Sequence, residues 1–223
     1  MNYYISDLHL SYERILEIEP ARGKCWSNVS DMDEAIIRSI NNKCSEDDCL
    51  WVVGDVACHG KNVVGLLKQI NCEKKLVVGN HDVSQLRHSS FRRQFTEVCE
   101  HKLLTDGEYD LFLSHYPMVD WDGAYKGRWL FYGHLHGNRQ VGMGRLMAYV
   151  PTACYVGWDE FPSPCTASEL IEARKREFFF SLDTRDELIE KLSVQEDRST
   201  VTNKKRPWSW DGMFIRWDSE GGE

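Results

Sequence analysis

The chain has 223 residues, of which 42% are hydrophobic, and this length suits one packed domain with an extension. With 27 basic and 35 acidic residues its formal net charge is -8, which argues against stable, non-specific binding to nucleic acid. No apolar run reaches the length of a membrane span, and a strand pattern follows Met1 directly, so we expect a cytoplasmic protein without a signal peptide.

The first half of the chain predicts alternating strands and helices. A first strand covers residues 2–6, whereas residues 10–30 have no clean period and predict a long loop with at most a short helix. A helix begins at Ser30 or Asp31 and ends near Asn42, because either residue can cap it and acidic residues follow in its first turn. Further elements are a strand at 49–54, a helix at 62–70 and a strand at 75–79, an order that implies parallel pairing.

The second half has a different pattern, in which we expect largely antiparallel strands. A short helix is predicted at 89–95, and Asp106-Gly107-Glu108 is typical of a hairpin turn between neighbouring strands. The predicted strands are 98–105, 109–114, 128–132 and 145–149, with the Gly-rich segment 137–144 joining the last two. A parallel half and an antiparallel half suggest two sheets packed together with helices outside.

Residues 161–223 look like an extension. Helices are predicted at 167–176 and 186–192, followed by a polar stretch at 197–206. Four aromatic residues then lie within ten positions: Trp208, Trp210, Phe214 and Trp217. Because so dense an aromatic cluster seldom stays in water, we expect this tail to pack on the body of the protein or on a partner subunit, which would make a homo-oligomer.

Polar residues of a common type follow five apolar runs. In sheets of this kind the chemistry lies just past the carboxyl ends of the strands. The side chains at these ends are carboxylates, an amide and imidazoles: Asp7, His9, Asp55, Asn80, His115, His134 and His136. This donor set suits Mn²⁺ best, with Fe, Zn²⁺ or Ni²⁺ as alternatives, and seven ligands are enough for two ions that share one carboxylate. Two such ions can hold a phosphate and acidify a water, so that the hydroxide attacks phosphorus.

Two further residues follow Asn80. His81 is placed to protonate the leaving oxygen or to stabilise charge on the phosphoryl oxygens, and Asp82 could hold the imidazole in position. We therefore predict His81 and Asp82 as the catalytic pair.

The five motifs together resemble those of the calcineurin-like metallophosphoesterase superfamily, in its small bacterial and phage-like branch. They are Asp7-Leu8-His9, Gly54-Asp55, Gly79-Asn80-His81-Asp82, His115 and Gly133-His134-Leu135-His136. The resemblance implies an α/β fold built as a four-layer α/β/β/α sandwich of two mixed sheets, with a catalytic domain over residues 1–160 and an extension over 161–223. It also implies one metal on Asp7, His9 and His136, a second on Asn80, His115 and His134, and Asp55 as the bridge.

The resemblance implies hydrolysis of phosphate mono- or diesters, and the sequence does not choose a substrate among small phosphate esters and nucleotides. Residues near the ligands that could contact substrate are Tyr116, Trp121, Arg128 and Asn138, although placement in the core or on the surface fits them equally well. The alternative function is a non-catalytic interaction module on the same fold. Such relatives typically lose ligands or the catalytic histidine, whereas this chain keeps all of them.

Overall fold

A computed structural model describes residues 1–58, 62–138 and 142–177, and it shows a mixed α/β fold with two four-stranded sheets and flanking helices. The first sheet is parallel throughout, in the order in which its strands follow one another along the chain. Its strands are β1 (Asn2–Ile5), β2 (Cys49–Val53), β3 (Glu73–Val77) and β4 (Glu97–Cys99). Every residue of β2 is buried, which explains why this central strand is a continuous apolar run.

The helices of the first half lie in the connections of the first sheet. They are α1 (Ile15–Ile18), α2 (Pro20–Cys25), α3 (Val29–Lys43), α4 (Val63–Leu67), α5 (Asp82–Gln85) and α6 (Ser89–Arg92). The longest, α3, starts earlier than predicted, because Asn28 is the N-cap and its side chain accepts a hydrogen bond from the Asp31 N–H. Ile36 and Ile40 of α3 pack on one face of the sheet.

The second sheet is mixed, so the prediction of a largely antiparallel second half is wrong. Its strands are β5 (His101–Asp106), β6 (Tyr109–Ser114), β7 (Trp129–Tyr132) and β8 (Ala153–Tyr155). The hairpin between β5 and β6 is confirmed, with Asp106 opposite Tyr109, but β6–β7 and β7–β8 pair in parallel. The long connections after β6 and β7 allow the chain to cross back and run in the same direction again.

Two strand predictions need correction. The single strand predicted at 98–105 is divided between β4 in the first sheet and β5 in the second, on either side of Glu100. The strand predicted at 145–149 is wrong, since this region holds the helix α7 (Gly142–Met147). Its buried residues, Gly144 and Met147, are three positions apart, as in one face of a helix.

Residues after position 150 complete the core between the two sheets. Tyr4 and Trp51 of the first sheet share one hydrophobic cluster with Leu113 and Phe131 of the second sheet, and residues Ala167, Leu170 and Ile171 belong to the same cluster. These three lie on a helix at 167–177, here named α8. A bridge from Cys165 to Tyr4 and another from Gly157 to Ser6 extend the outer edge of β1.

The chain divides into two compact units, Met1–Ser181 and Leu182–Glu223. The domain boundary predicted at residue 160 stays a prediction. The predicted helix at 186–192, the polar stretch at 197–206 and the tryptophan-rich tail lie outside the described residues. No helix in the described ranges has both the length and the apolar character that crossing a bilayer requires. All eight cysteines are free thiols.

Candidate metal centre

The loops that follow β1, β2 and β7 carry strained backbone. Positive φ is uncommon for residues other than glycine, and it concentrates at functional sites. The residues concerned are Asp7 (58°), His9 (50°), Ser11 (59°), Asp55 (55°), His134 (73°) and His136 (49°). All but Ser11 belong to the predicted ligand set, so the strained turns are the ones that direct these side chains.

The strained turns bring the predicted ligands together in three overlapping groups. Within each group one ligand atom per residue lies within 4.8 Å of the others. The groups are Asp7 with His9 and His136, then His9 with Asp55 and His81, and then Asp55 with His115 and His134. Asp55 and His9 occur in two groups each, so the three groups form one continuous cluster.

Asn80 joins this cluster through His115. Its Oδ1 atom lies 3.1 Å from Nε2 of His115, while Nδ1 of His115 lies 3.0 Å from the carbonyl oxygen of Val53. Because a carbonyl only accepts hydrogen bonds, Nδ1 of His115 carries the proton and donates it. Nε2 faces the cluster, and when the ring is neutral its lone pair can therefore bind a metal.

Asp55 is central in this arrangement. Its Oδ2 atom lies 3.4 Å from Nε2 of His115, 3.8 Å from Nε2 of His9 and 3.9 Å from Nε2 of His81. Burial opposes ionisation of this carboxyl, but the hydrogen bond and charge of His115 outweigh it and lower the pKa to about 2. Asp55 is thus a carboxylate at neutral pH, buried among imidazoles.

Two imidazoles meet on the other side of the cluster. The Nε2 atoms of His9 and His136 lie 3.1 Å apart, and their rings stack. Burial, followed by the nearby His136, lowers the pKa of His9 well below its ordinary value, so His9 is neutral. Nδ1 of His9 is buried with no hydrogen-bond partner among the described residues.

His81 lies at the edge of the cluster, and Asp82 has contacts other than those predicted. The His81 side chain is about a third exposed, at 36%, and its ring is 5.3 Å from that of His9. Asp82 is fully buried, and its carboxylate accepts the N–H groups of Asp55, Val56 and Gly79. We predicted a contact with the His81 imidazole, whereas the carboxylate holds the backbone of the two loops that carry Asp55 and Asn80.

Asp7 has hydrogen-bond partners that the sequence analysis missed. Its Oδ2 atom accepts hydrogen bonds from Ser6 Oγ at 2.8 Å and from the Tyr155 hydroxyl at 3.2 Å, and the His134 N–H donates to the same carboxylate. Burial and the neighbouring Asp7 charge raise the pKa of Tyr155, so its hydroxyl stays a donor. These contacts fix the orientation of the Asp7 carboxylate.

A buried chain of charges supports His136 and was also missed. Nδ1 of His136 lies 2.8 Å from Oδ2 of Asp159, and Arg22 donates to Asp159 from Nε at 2.6 Å and from its Nη2 atom at 2.9 Å. The Arg22 side chain is only 2% exposed and also donates to the carbonyl oxygens of Asp7 and Leu8. Asp159 accepts a hydrogen bond from Nδ1–H of His136, so in the neutral ring the lone pair is on Nε2, which faces the cluster.

Asp159 could have been found from the sequence. The apolar run Ala153–Tyr155 is followed by Gly157 and Asp159, the same pattern as at the other strand ends. The run was overlooked because the preceding strand was placed at 145–149. Nothing in the local sequence distinguishes Arg22. Its partner Asp159 is 137 residues away, and its contact with Asp7 is to the backbone carbonyl, which every residue has.

Three glycines allow the ligand loops to approach each other closely. A Cβ atom on Gly54 would lie 2.2 Å from Nδ1 of His115, and one on Gly79 would lie 2.3 Å from Oδ1 of Asp55. A Cβ atom on Gly133 would lie 2.7 Å from Ser6 Oγ and 3.0 Å from Oδ2 of Asp7. These glycines are therefore part of the packing of the cluster.

The four predicted substrate contacts occupy different environments. The Tyr116 side chain is 47% exposed and its ring lies 4.9 Å from that of His134, so it stands beside the cluster. Asn138 lies with His134 and His136 along a pocket of about 500 Å³. Trp121 is buried in a hydrophobic cluster, where its indole N–H donates to the Arg128 carbonyl, which is a core position.

Arg128 has a local partner. Its guanidinium donates to both the backbone and the side chain of Asp122 at 2.8 Å.

The donor set fits a transition-metal ion. Imidazole nitrogens with free lone pairs and buried carboxylate oxygens converge within coordination reach, and partners behind the ligands fix the proton positions of His115 and His136. This His/Asp cluster could therefore bind metal.

Comparisons with known proteins support the fold. No family model matches the chain. The uncharacterized protein MJ1445 of Methanocaldococcus jannaschii is 27% identical over 139 residues, which are 61% of this chain and 69% of that protein. A crystal structure of the protein of unknown function AQ665 from Aquifex aeolicus matches with a TM-score of 0.61 and 21% identity, covering 78% of this chain and 98% of that one. At that level of identity the match shows a shared fold.

YfcE, a phosphoesterase from E. coli, gives a weaker structural match. Its TM-score is 0.37 at 16% identity, over 70% of this chain and 77% of that chain.

Proposed function

We propose that this protein is a metal-dependent phosphoesterase that hydrolyses small phosphate mono- or diesters, with two divalent transition-metal ions and His81 as the acid. The main support is the convergence of the predicted ligands. Residues from position 7 to position 136, chosen from sequence motifs alone, meet in one cluster around Asp55. We also propose that the chain belongs to the calcineurin-like superfamily, that it has the four-layer α/β/β/α arrangement, and that manganese is its preferred metal.

The residues divide naturally between two ions. Asp7, His9 and His136 would hold one, Asn80, His115 and His134 the other, and Asp55 would hold both. When bound, such ions supply Lewis acidity toward phosphoryl oxygens and a water that ionises near neutral pH. Imidazole and carboxylate together favour Mn²⁺, Fe, Zn²⁺ or Ni²⁺ over Mg²⁺.

The chain itself supplies positioning and a proton. In hydrolysis the oxygen of water joins phosphorus, the bond from phosphorus to the ester oxygen breaks, and that oxygen leaves with a proton. The His81 side chain is in contact with the cluster and is 36% exposed, so it can reach a substrate that lies on the cluster. It is therefore placed to give the proton to the leaving oxygen. Tyr116, exposed beside His134, would contact the ester from the other side.

The direct test measures metal content and activity on the same preparations. We expect two transition-metal ions per chain, and Mn²⁺-dependent hydrolysis of a bis-aryl phosphodiester, an aryl phosphomonoester or both. Asp55→Asn should lose both bound metal and activity. His81→Gln should keep the metal and lower kcat by about 10²–10⁴-fold. His88→Gln, which changes an exposed histidine, is the matched control and should behave as the wild type.

Two outcomes would reject the proposal. Unchanged rates in Asp55→Asn and His81→Gln would show that the hydrolysis does not use the cluster. A protein that binds no transition metal and stays inactive after metal is added would favour the non-catalytic interaction module instead.

A further inference from the structure

A pocket of about 500 Å³ opens beside the metal-ligand cluster. His134 and His136 belong both to the cluster and to the wall of this pocket. The volume lies within the range of small-molecule sites, and it exceeds what a phosphate alone would fill. A ligand whose phosphate lies on the cluster can therefore extend into the pocket without leaving the two histidines.

Apolar side chains that folding leaves in contact with water line part of this pocket. Ile18 is 49% exposed and Met143 is 42% exposed, and both are in the wall together with Leu135 and Pro20. Large exposed apolar groups gathered around a concave surface are typical of a binding site rather than of ordinary protein surface. They would cover the hydrocarbon body of a ligand.

The polar part of the wall carries a negative charge. The Glu19 side chain is 24% exposed, and its Oε1 atom lies 3.7 Å from Nδ1 of His136. That nitrogen already has a closer partner in Asp159, at 2.8 Å, so Glu19 keeps acceptor capacity that faces the pocket. Asn138 adds an amide, and no Lys or Arg is among the described residues of the wall. The described part of the wall therefore offers the Glu19 carboxylate and the Asn138 amide to hydrogen-bond donors and cations.

We propose that this pocket is a substrate-specificity subsite of the enzyme, next to the metal-ligand cluster. It receives the alcohol part of the phosphate ester, and it selects alcohols with an apolar body that end in a neutral or cationic hydrogen-bond donor. This inference rests on the proposed phosphoesterase function. It makes Glu19 a specificity-determining residue, which discriminates against esters whose alcohol carries a carboxylate or a second phosphate.

The test compares three aryl phosphates of similar size with the metal-loaded, full-length protein. They are 4-(aminomethyl)phenyl, 4-(hydroxymethyl)phenyl and 4-carboxyphenyl phosphate, whose alcohol parts are cationic, neutral and anionic. The kcat/KM of the cationic ester should exceed that of the anionic ester by about tenfold or more, because the partly buried Glu19 carboxylate acts with opposite sign on the two charges. Binding of the three matching aryl phosphonates, which cannot be hydrolysed, is measured by calorimetry in parallel.

Two ratios compare the cationic with the anionic compound: that of kcat/KM for the esters and that of the affinities for the phosphonates. Glu19→Gln should bring both ratios close to one while leaving the melting temperature unchanged. Glu17→Gln removes the same charge from an exposed position two residues away and should keep both ratios. Equal ratios in the wild type, an anionic preference, or the same response in both variants would overturn the subsite. Hydrolysis without any charge preference rejects the subsite alone. Charge-selective binding of the phosphonates without hydrolysis of any ester rejects the phosphoesterase and keeps the subsite.

Discussion

At the scale of single residues, His136 depends on partners that are not ligands themselves. Asp159 accepts a hydrogen bond from Nδ1–H of His136, and Arg22 donates to both oxygens of Asp159. A carboxylate behind a metal-binding imidazole fixes the ring and makes its other nitrogen a better donor. The affinity for metal should therefore depend on a side chain that does not contact the ion.

Asp159→Asn tests this dependence. Asparagine keeps one acceptor oxygen where aspartate offers two, so either His136 or Arg22 loses a hydrogen bond. We expect the Kd for Mn²⁺, measured by calorimetry, to rise about 10–100-fold. Asp122→Asn, which alters an exposed ion pair with Arg128, is the control and should keep the wild-type Kd. Equal Kd values in the two variants would contradict the role given to Asp159.

Asp33 predicts a pH dependence of stability. Burial raises its pKa to about 6, against the smaller opposite effect of the Ser11 N–H that it accepts. Since the folded pKa is above the ordinary value of 3.8, the folded state holds this proton more tightly than the unfolded state. The contribution of protonated Asp33 to the free energy of unfolding is complete below about pH 4, declines as the pH rises toward 6, and is absent above it.

The comparison of the wild type with Asp33→Asn isolates this effect. In urea unfolding with a chelator present, the stability of the wild type relative to the variant should fall between pH 4 and pH 7, by at most about 3 kcal/mol. A difference that stays constant or grows over this range would show that Asp33 is not held in the protonated form by burial.

At the scale of elements, the ligand loops pack so closely that glycine is required between them. A Cβ atom on Gly79, in the loop that follows β3, would lie 2.4 Å from the backbone nitrogen of Asp55. Gly79→Ala should therefore displace Asp55, lower the melting temperature and weaken Mn²⁺ binding by tenfold or more, on the order expected for a lost ligand contact. Gly107→Asn, in the β5–β6 hairpin, is the control and should keep the wild-type metal binding. It adds a side chain where nothing lies within 4 Å, and asparagine tolerates the positive φ of this position. Normal metal binding by Gly79→Ala would refute the packing argument.

The elements that the sequence predicted correctly are those whose signal is local. Apolar runs located β1, β2, β3, β6 and β7, and the residues after them converge because parallel strands end at one edge of a sheet. The helix α7 was missed because its identity depends on distant residues. Arg174 donates to the carbonyl oxygens of Met147, Ala148 and Val150 at its end. The buried partners Arg22 and Tyr155 were missed for the same reason.

At the scale of the whole molecule, the residues beyond Ser181 lie outside the part of the chain that the structure describes, and their sequence alone suggests a role. We propose that the tryptophan-rich segment makes a contact between two copies of the chain, since the sequence there is dense in aromatic residues. A chain ending at residue 181 should bind metal as the full-length protein does but elute as a monomer in size-exclusion chromatography with light scattering. The same number of chains per particle in both forms would exclude this role of the tail.

The edge of β1 has a consequence for how the protein is made. Ser6 pairs with Gly157 and Tyr4 with Cys165, while the partner that orients His136 is at position 159. A ribosome must therefore synthesise most of the first unit before the earliest strand acquires its neighbour on that side. Contacts of such long sequence separation form late and slow the folding of a domain. If the cluster binds metal as proposed, the nascent chain reaches its full affinity for metal only after the segment around Asp159 has left the exit tunnel.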